Sequence, residues 1–403
     1  MNSIRITPKK PIIFFIGILS SFPAFTQFSD SLRQKFEHFS SQHLQEKVFV
    51  HTDKSFYLVG EIIWFKVYVT DAVFNKPSGI SKISYVEIIN KDAKAILQAK
   101  IGMNSGSGNG SFMLPSFLAT GNYTIRAYTN WMKNIGPEYY FEKNISIVNA
   151  LKNARLPIND STRLNVQFFP EGGQMVMGLQ STVAFHFTDE SGSGINGNGY
   201  LLNQDNDTIL QFSPHHGGIG RFSFTPEKNN QYKAVIRFEK GKIVAKQLPV
   251  AYEKGYVTKV GEHDTTHIKV VLTSNISADN TAYLFIHTRN RYKAIVQQSF
   301  NNGEAVFVID KKVLDDGINH FTVFNNDRLP VCERLYFKRP LKKLDIDLTV
   351  GQTTFSQRTK VDITLFTHHD KAIIPDGGLS VSAFLLDSLQ GIDEPGILSY
   401  LLL

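Results

Sequence analysis

From Val48 onward the chain alternates apolar and polar positions in short runs, each cut by Gly, Pro, Asn or Asp. That rhythm predicts strands with one buried face, joined by turns. Val48–His51 reads as a first strand and Gly60 as a turn. Glu61–Thr70 is a long strand with Ile63, Phe65, Val67 and Val69 on one face. A loop from Asp71 to Ser78 follows, then a hairpin turning at Asn90–Asp92. Tyr139–Val148 closes the set, giving about seven strands in roughly 100 residues, the size of one sandwich. Before the strands the period changes. Phe28–Gln45 is polar, with Leu32, Phe36 and Phe39 at spacings of four and three, which predicts one short amphipathic helix.

One strand–turn–strand phrase recurs. It runs from Gly110 to Trp131, returns at Gly220, and returns more loosely at Gly303. In each copy the glycine is expected to start a strand from a turn. Pro115 or Pro226 ends that strand, and Tyr123 or Tyr232 opens a second strand adjacent in the same sandwich. Repetition of a strand set predicts copies of one module laid end to end. The expected organisation is a leader at 1–26, a short helix and linker at 27–45, and sandwiches at 46–149, 163–252 and 253–340. A polar linker at 150–162 separates the first two, and 341–403 forms an incomplete fourth sandwich. Its strand Thr359–Thr367 followed by Asp370 echoes earlier strands, and the final run "GILSYLLL" has no polar end, so the reading is of a piece of a longer chain. The fold class is therefore all-β, tandem immunoglobulin-like sandwich modules with the last incomplete.

Composition supports this. Aromatics are 12% and charged residues 20%, with 31 Phe and 15 Tyr, a balance that favours pleated, half-buried surfaces over disorder. The N-terminus carries Arg5, Lys9 and Lys10, an apolar run Pro11–Leu19, and small or short residues at Ala24 and Thr26. That is an export signal with cleavage after Thr26, its apolar run being short for a membrane span. The formal charge is +7 over the whole chain, and without the leader's three basic residues it falls to +4. No Lys/Arg run exceeds two residues and no basic stripe is interleaved with aromatics, so nucleic acid is not an expected partner. With Cys332 alone no internal disulfide can form, and hydrophobic cores must hold each module.

Candidate chemistry is sparse. The glycine-rich stretch Asn104–Ser111 lacks the lysine and the following helix of a phosphate loop and reads as a flexible hairpin loop. His215–His216 and His368–His369 sit beside turns without a local third ligand, which leaves them as solvated loop histidines. His51 reads as a strand-end residue and Cys332, inside an alternating run, as a buried thiol. No Gly-x-Ser-x-Gly elbow is present. The expectation is no catalytic residue, no cofactor and no metal. Thr129–Phe141 is the most distinctive exposed-looking stretch, with Trp131, Met132, Tyr139 and Tyr140 around a Gly-Pro turn. Aromatic and Met clusters on loops suit protein recognition. A packed loop between modules is the alternative.

The stretch "VFVHTDKSFYLVGEIIWFKVYVTD" resembles the second macroglobulin-type domain of the alpha-2-macroglobulin family through Thr52, Asp53, Lys54, Tyr57, Gly60, Glu61, Phe65, Lys66 and Asp71. "GSFMLPSFLATGNYTIRAYT" is similar to that domain's later part, and the resemblance spans about 46–150. "VQFFPEGGQMVMGLQSTVAFHFTD" looks like the next module of Bacteroidetes envelope proteins, some of which continue into the plug of a TonB-dependent receptor. The thioester motif of full macroglobulins is missing, because the sole cysteine stands in "VCERL". The resemblance implies an exported, non-enzymatic scaffold of a Gram-negative envelope, in the periplasm or at the outer membrane. Two other roles stay open: an endopeptidase inhibitor without a thioester, and the N-terminal part of a TonB-dependent uptake system. The implied partners are envelope proteins such as an outer-membrane receptor or a protease, with membrane association only through the full-length chain or a partner. Fold alone does not decide among these.

Overall fold

A strand buried on one face must turn every second side chain inward, and the alternating runs settle into such strands. The computed structural model describes residues 24–152, 164–190, 192–277, 280–341, 344–369, 372–373, 378–385 and 396–403. The helix α1 (Ala24–Gln42) comes first, so its backbone begins before the expected cleavage point. The rest of the leader, 153–162 of the linker and position 163 lie outside the described residues.

The first module holds β1 (Glu46–Thr52), β2 (Phe56–Leu58), β3 (Ile62–Asp71), β4 (Ile83–Ile89), β5 (Ala95–Gly102), β6 (Ser107–Met113), β7 (Gly121–Thr129) and β8 (Phe141–Val148). Sheet β1-β3-β6 faces sheet β2-β8-β7-β4-β5. Ile63, Phe65, Val67 and Val69 all point into one core with Val86, Ile88, Ile125 and Ile147. The strand that sequence missed is β2, a three-residue element lying parallel to Ser146–Val148. Hairpin β4–β5 turns where expected, because the Asn90 side-chain oxygen accepts from the Asp92 and Lys94 amides.

The second module holds β9 (Asn165–Pro170), β10 (Met175–Val176), β11 (Ser181–Thr188), β12 (Gly197–Leu202), β13 (Thr208–Phe212), β14 (Ile219–Phe224), β15 (Lys233–Phe238), β16 (Ile243–Gln247) and β17 (Ala251–Tyr252). Sheets β14-β11-β9 and β13-β12-β15-β16 enclose a Phe-rich core. The third holds β18 (Tyr256–Glu262), β19 (His267–Ser274), β20 (Thr281–Thr288), β21 (Arg291–Ser299), β22 (Glu304–Asp310), β23 (Gly317–Phe324) and β24 (Pro330–Lys338). Its sheets are β18-β19-β22 and β21-β20-β23-β24. Last come β25 (Asp345–Val350), β26 (Ile363–His369) and β27 (Ala372–Ile373) in one sheet, and helix α2 (Ile397–Leu402). The expected strand Thr359–Thr367 starts later, at Ile363, and Asp370 lies outside the described residues. The fold is all-β, in tandem sandwich modules.

The repeated phrase does not supply two adjacent strands. In each module its first strand (β6, β14, β22) belongs to the three-stranded sheet and its second (β7, β15, β23) to the opposite one. The phrase is the crossing between sheets. Its glycine also differs from expectation. Gly110 and Gly220 sit inside their strands, opposite Phe65 and Phe185. A Cβ on Gly220 would lie 2.3 Å from the Phe185 ring, and one on Gly110 2.8 Å from the Phe65 ring. The equivalent position in the third module is Ala305, opposite Leu272. A smaller residue on one strand takes a larger one across the ladder. Gly303, two residues earlier, instead makes a turn at φ +78°. The stretch Asn104–Ser111 is corrected likewise, since only its beginning turns and Ser107 onward is β6.

Helix α1 places Phe28 against Tyr283 and Phe324, and Phe36 against Phe285 and His287. It thus covers the outer face of the third module's four-stranded sheet. Phe39, expected on the same face, is exposed and stacks on His43. Modules two and three are clasped by the Pro170–Gly173 corner. The Glu171 carboxylate accepts from Arg334 Nε at 3.0 Å and from the Val260 amide at 3.2 Å. Gly172 (φ +81°) lies so close to Thr258 that a Cβ would come 2.6 Å from its methyl.

Candidate functional site

The Trp131 loop divides. Trp131 and Met132 begin a single 3-10 turn after β7. Met132 has 0% exposure and belongs to the module-one core, so it cannot meet a partner. Trp131 is 40% exposed, but its indole N–H donates to the Leu44 carbonyl at 2.8 Å, fastening the chain that follows α1 to module one. Tyr140 is half-buried and stacks on Tyr128 at 4.4 Å. Tyr139 is 49% exposed. Gly136, at φ 142°, and Pro137 set the second turn, which delivers both tyrosines to the head of β8.

Tyr139 and Tyr140 line a cleft of about 1280 Å³. One wall is β1 along its length, the other the start of β8, where β2 pairs only with the later residues Ser146–Val148. The outward residues of β1 are Lys47, Phe49 and His51, since Val48 and Val50 face the core. Phe49 meets Phe141 edge to face at 5.4 Å. The roof comes from the chain's own later segments. His51 Nδ1 lies 2.7 Å from Ser380 Oγ, Tyr68 donates to the same oxygen at 2.8 Å, and Lys66 Nζ donates to the Leu379 carbonyl at 3.0 Å. Tyr400 of α2 completes the aromatic cluster at 5.6 Å from Phe49 and 5.5 Å from Phe141. Burial raises its phenol pKa to about 12. Apolar walls with a few convergent polar groups suit a peptide or small-molecule site. The sequence reading missed Phe49 and Tyr400. An aromatic at an outward position of an alternating strand was the available signal for the first.

The residues that carry the family resemblance form a scaffold beside this cleft. Asp53 Oδ1 accepts from Tyr57 Oη at 2.7 Å and from the Trp64 amide at 3.0 Å. Lys54 Nζ reaches both Glu61 oxygens, and Glu61 also accepts from the Leu58 amide at 2.7 Å. Desolvation and the Asp53 hydrogen bond push the Tyr57 phenol well above its ordinary range. Glu46, buried at the head of β1, accepts from the hydroxyls of Ser78, Ser81 and Thr129. Each of these groups fixes a turn or strand end, satisfying polar atoms that burial would otherwise penalise.

The other candidates fall elsewhere. Cys332 is buried in the third core, its thiol directed at the Tyr256 carbonyl and raised to about 12 by burial. A protonated thiol is a poor nucleophile. His215 and His216 are exposed. Gly217 after them faces open space, and only Gly218 presses inward, approaching the Phe187 carbonyl too closely for any side chain. His368 Nε2 lies 2.8 Å from Asp347 Oδ2, and the side chain of His369 lies outside the described residues. Among the described residues no group of three His, Cys, Asp or Glu is placed to hold a metal ion, and no helix is long and apolar enough to cross a membrane.

The fold therefore defines a tandem β-sandwich protein with an aromatic cleft on its first module. The sequence matches no family model and no curated protein. Similar solved structures include alpha-2-macroglobulin of Escherichia coli activated by porcine elastase, at 11% identity and a TM-score of 0.24, over 76% of this chain and 32% of that one. Dimeric latent PorU of Porphyromonas gingivalis is similar at 11% identity and a TM-score of 0.30, over 72% and 33% of the two chains. A tetra-tandem repeat from the extending region of a large adhesion protein gives 12% identity and a TM-score of 0.20, over 81% of each. The chain spans about a third of the length of the Escherichia coli protein. The fold assignment rests on the sheets described above.

Proposed function

We propose that the chain is an exported, non-enzymatic interaction arm of a Gram-negative envelope, presenting the module-one cleft to a partner protein. The observation that carries this is the cleft itself, where Phe49, Tyr139 and Tyr140 gather over the buried Phe141 on a rigid sandwich edge. Aromatic anchors on a rigid frame lose little conformational freedom on binding. The clasp at Glu171 and the α1 contact support the scaffold part of the reading, because they stiffen the array of modules. The envelope setting and the partner classes, a receptor component or a protease, come from the sequence resemblance and the leader. The test is affinity capture from envelope extract with wild-type chain and a Tyr139→Glu variant. The account expects a partner held by wild type and reduced at least about tenfold by the charge, with an unchanged melting temperature. Equal recovery by both chains would remove the cleft from the function.

A further inference from the structure

Helix α2 is six residues long, and a helix that short does not persist in water by itself. Gly396 gives its first turn no side-chain cap. Module one holds it through side chains. Tyr400 enters between Phe49 and Phe141, with Lys47 Nζ 6.0 Å from its ring centre. One residue on, the Leu401 carbonyl accepts from Lys47 Nζ at 3.3 Å and from Asn75 Nδ2 at 3.2 Å. The Leu402 carbonyl abuts Gly317 of module three, where a Cβ would come within 2.7 Å. Module one thus offers a slot for one aromatic ring and two donors set for the next carbonyl. That is a recognition geometry independent of which chain supplies the segment.

We propose that this slot is a docking site for a short helical segment of a partner protein that carries an aromatic anchor followed by an apolar residue, and that α2 fills it in cis. The proposal rests on the binding role assigned to the cleft and names the partner's chemistry. A segment tethered in the same chain competes at an effective concentration on the order of millimolar. Wild-type chain should therefore bind such a segment weakly in trans, and removal of the cis anchor should expose the slot.

The experiment uses the 403-residue chain and a fluorescein-labelled peptide of the sequence GILSYLL with a C-terminal di-lysine tail, followed by anisotropy. The Tyr400→Ala chain is expected to bind it at least about tenfold tighter than wild type. Adding Phe49→Ala, or Lys47→Ala should the former not fold, is expected to erase that gain, and a peptide with alanine in place of its tyrosine is expected not to bind. Equal binding by wild type and Tyr400→Ala would overturn the proposal, as would equal binding of the anchorless peptide. Should the slot fail this test while Tyr139→Glu still loses its partner, the cleft reading stands and the α2 mimicry falls.

Discussion

Trp131 and Met132 are neighbours with opposite fates. One fastens the segment after α1 by an indole hydrogen bond, and the other fills the module-one core. Met132→Ala is expected to cost about 2–5 kcal/mol in chemical denaturation, as a large-to-small change at a fully buried site does. Trp131→Ala should cost less, because part of that ring already meets solvent. Equal losses would contradict the division. His287 carries a second residue-scale prediction. Burial, then the stacked His320, lowers its pKa to about 4, with Glu333 opposing. Phe36 of α1 and Phe285 pack on its ring. In the unfolded chain the imidazole titrates near 6.5. The unfolded state therefore binds the extra proton between those values, and stability is full above about pH 6.5 and falls as pH drops toward 4. Melting temperature should decrease from pH 7 to pH 5, and His287→Phe should flatten that decrease. The in-or-out fate of strand residues such as Ile63 and Val67 was legible from alternation. Met132 was not, because a 3-10 turn imposes no period of two on its side chains.

At the scale of elements, strand existence was legible and sheet membership was not. The phrase from Gly110 to Trp131 was visible as a repeat, yet consecutive strands usually pair, and nothing local marks a chain that crosses to the facing sheet. Pairing also explains the glycines. Gly110 and Gly220 accommodate the rings of Phe65 and Phe185, and the third module solves the same volume with Ala305 and Leu272. This yields a double-mutant cycle. Leu272→Phe alone should destabilise module three by about 1–3 kcal/mol through overpacking. Leu272→Phe with Ala305→Gly should recover a substantial part of that loss, apart from the intrinsic cost of glycine in a strand. Additive losses would show that the two positions do not share one space.

At the scale of the whole molecule, the modules do not hang as independent beads. Helix α1 bridges from module three to module one, the Glu171–Arg334 pair clasps modules two and three, and Arg291 of module three lies over the Phe74 ring of module one at 5.0 Å. Such long-range docking leaves no periodic trace in sequence. A tandem all-β organisation was readable from alternation and repeats, whereas the Pro170–Gly173 corner read only as a turn. The cleft belongs to this scale, since β1, β8, the Gly378–Leu385 stretch and α2 meet there from opposite ends of the chain. Its role as the partner site is the central claim, and site-directed cross-linking tests it most directly. Cys332 is buried and its thiol is raised to about 12, so a benzophenone maleimide will label an introduced cysteine selectively. Tyr139→Cys places the probe at the cleft, and Ile209→Cys places it on the exposed face of module two. After illumination in envelope extract, a defined adduct from position 139 and none from position 209 is the predicted result. Adducts of equal yield from both positions, or from position 209 alone, would contradict the account.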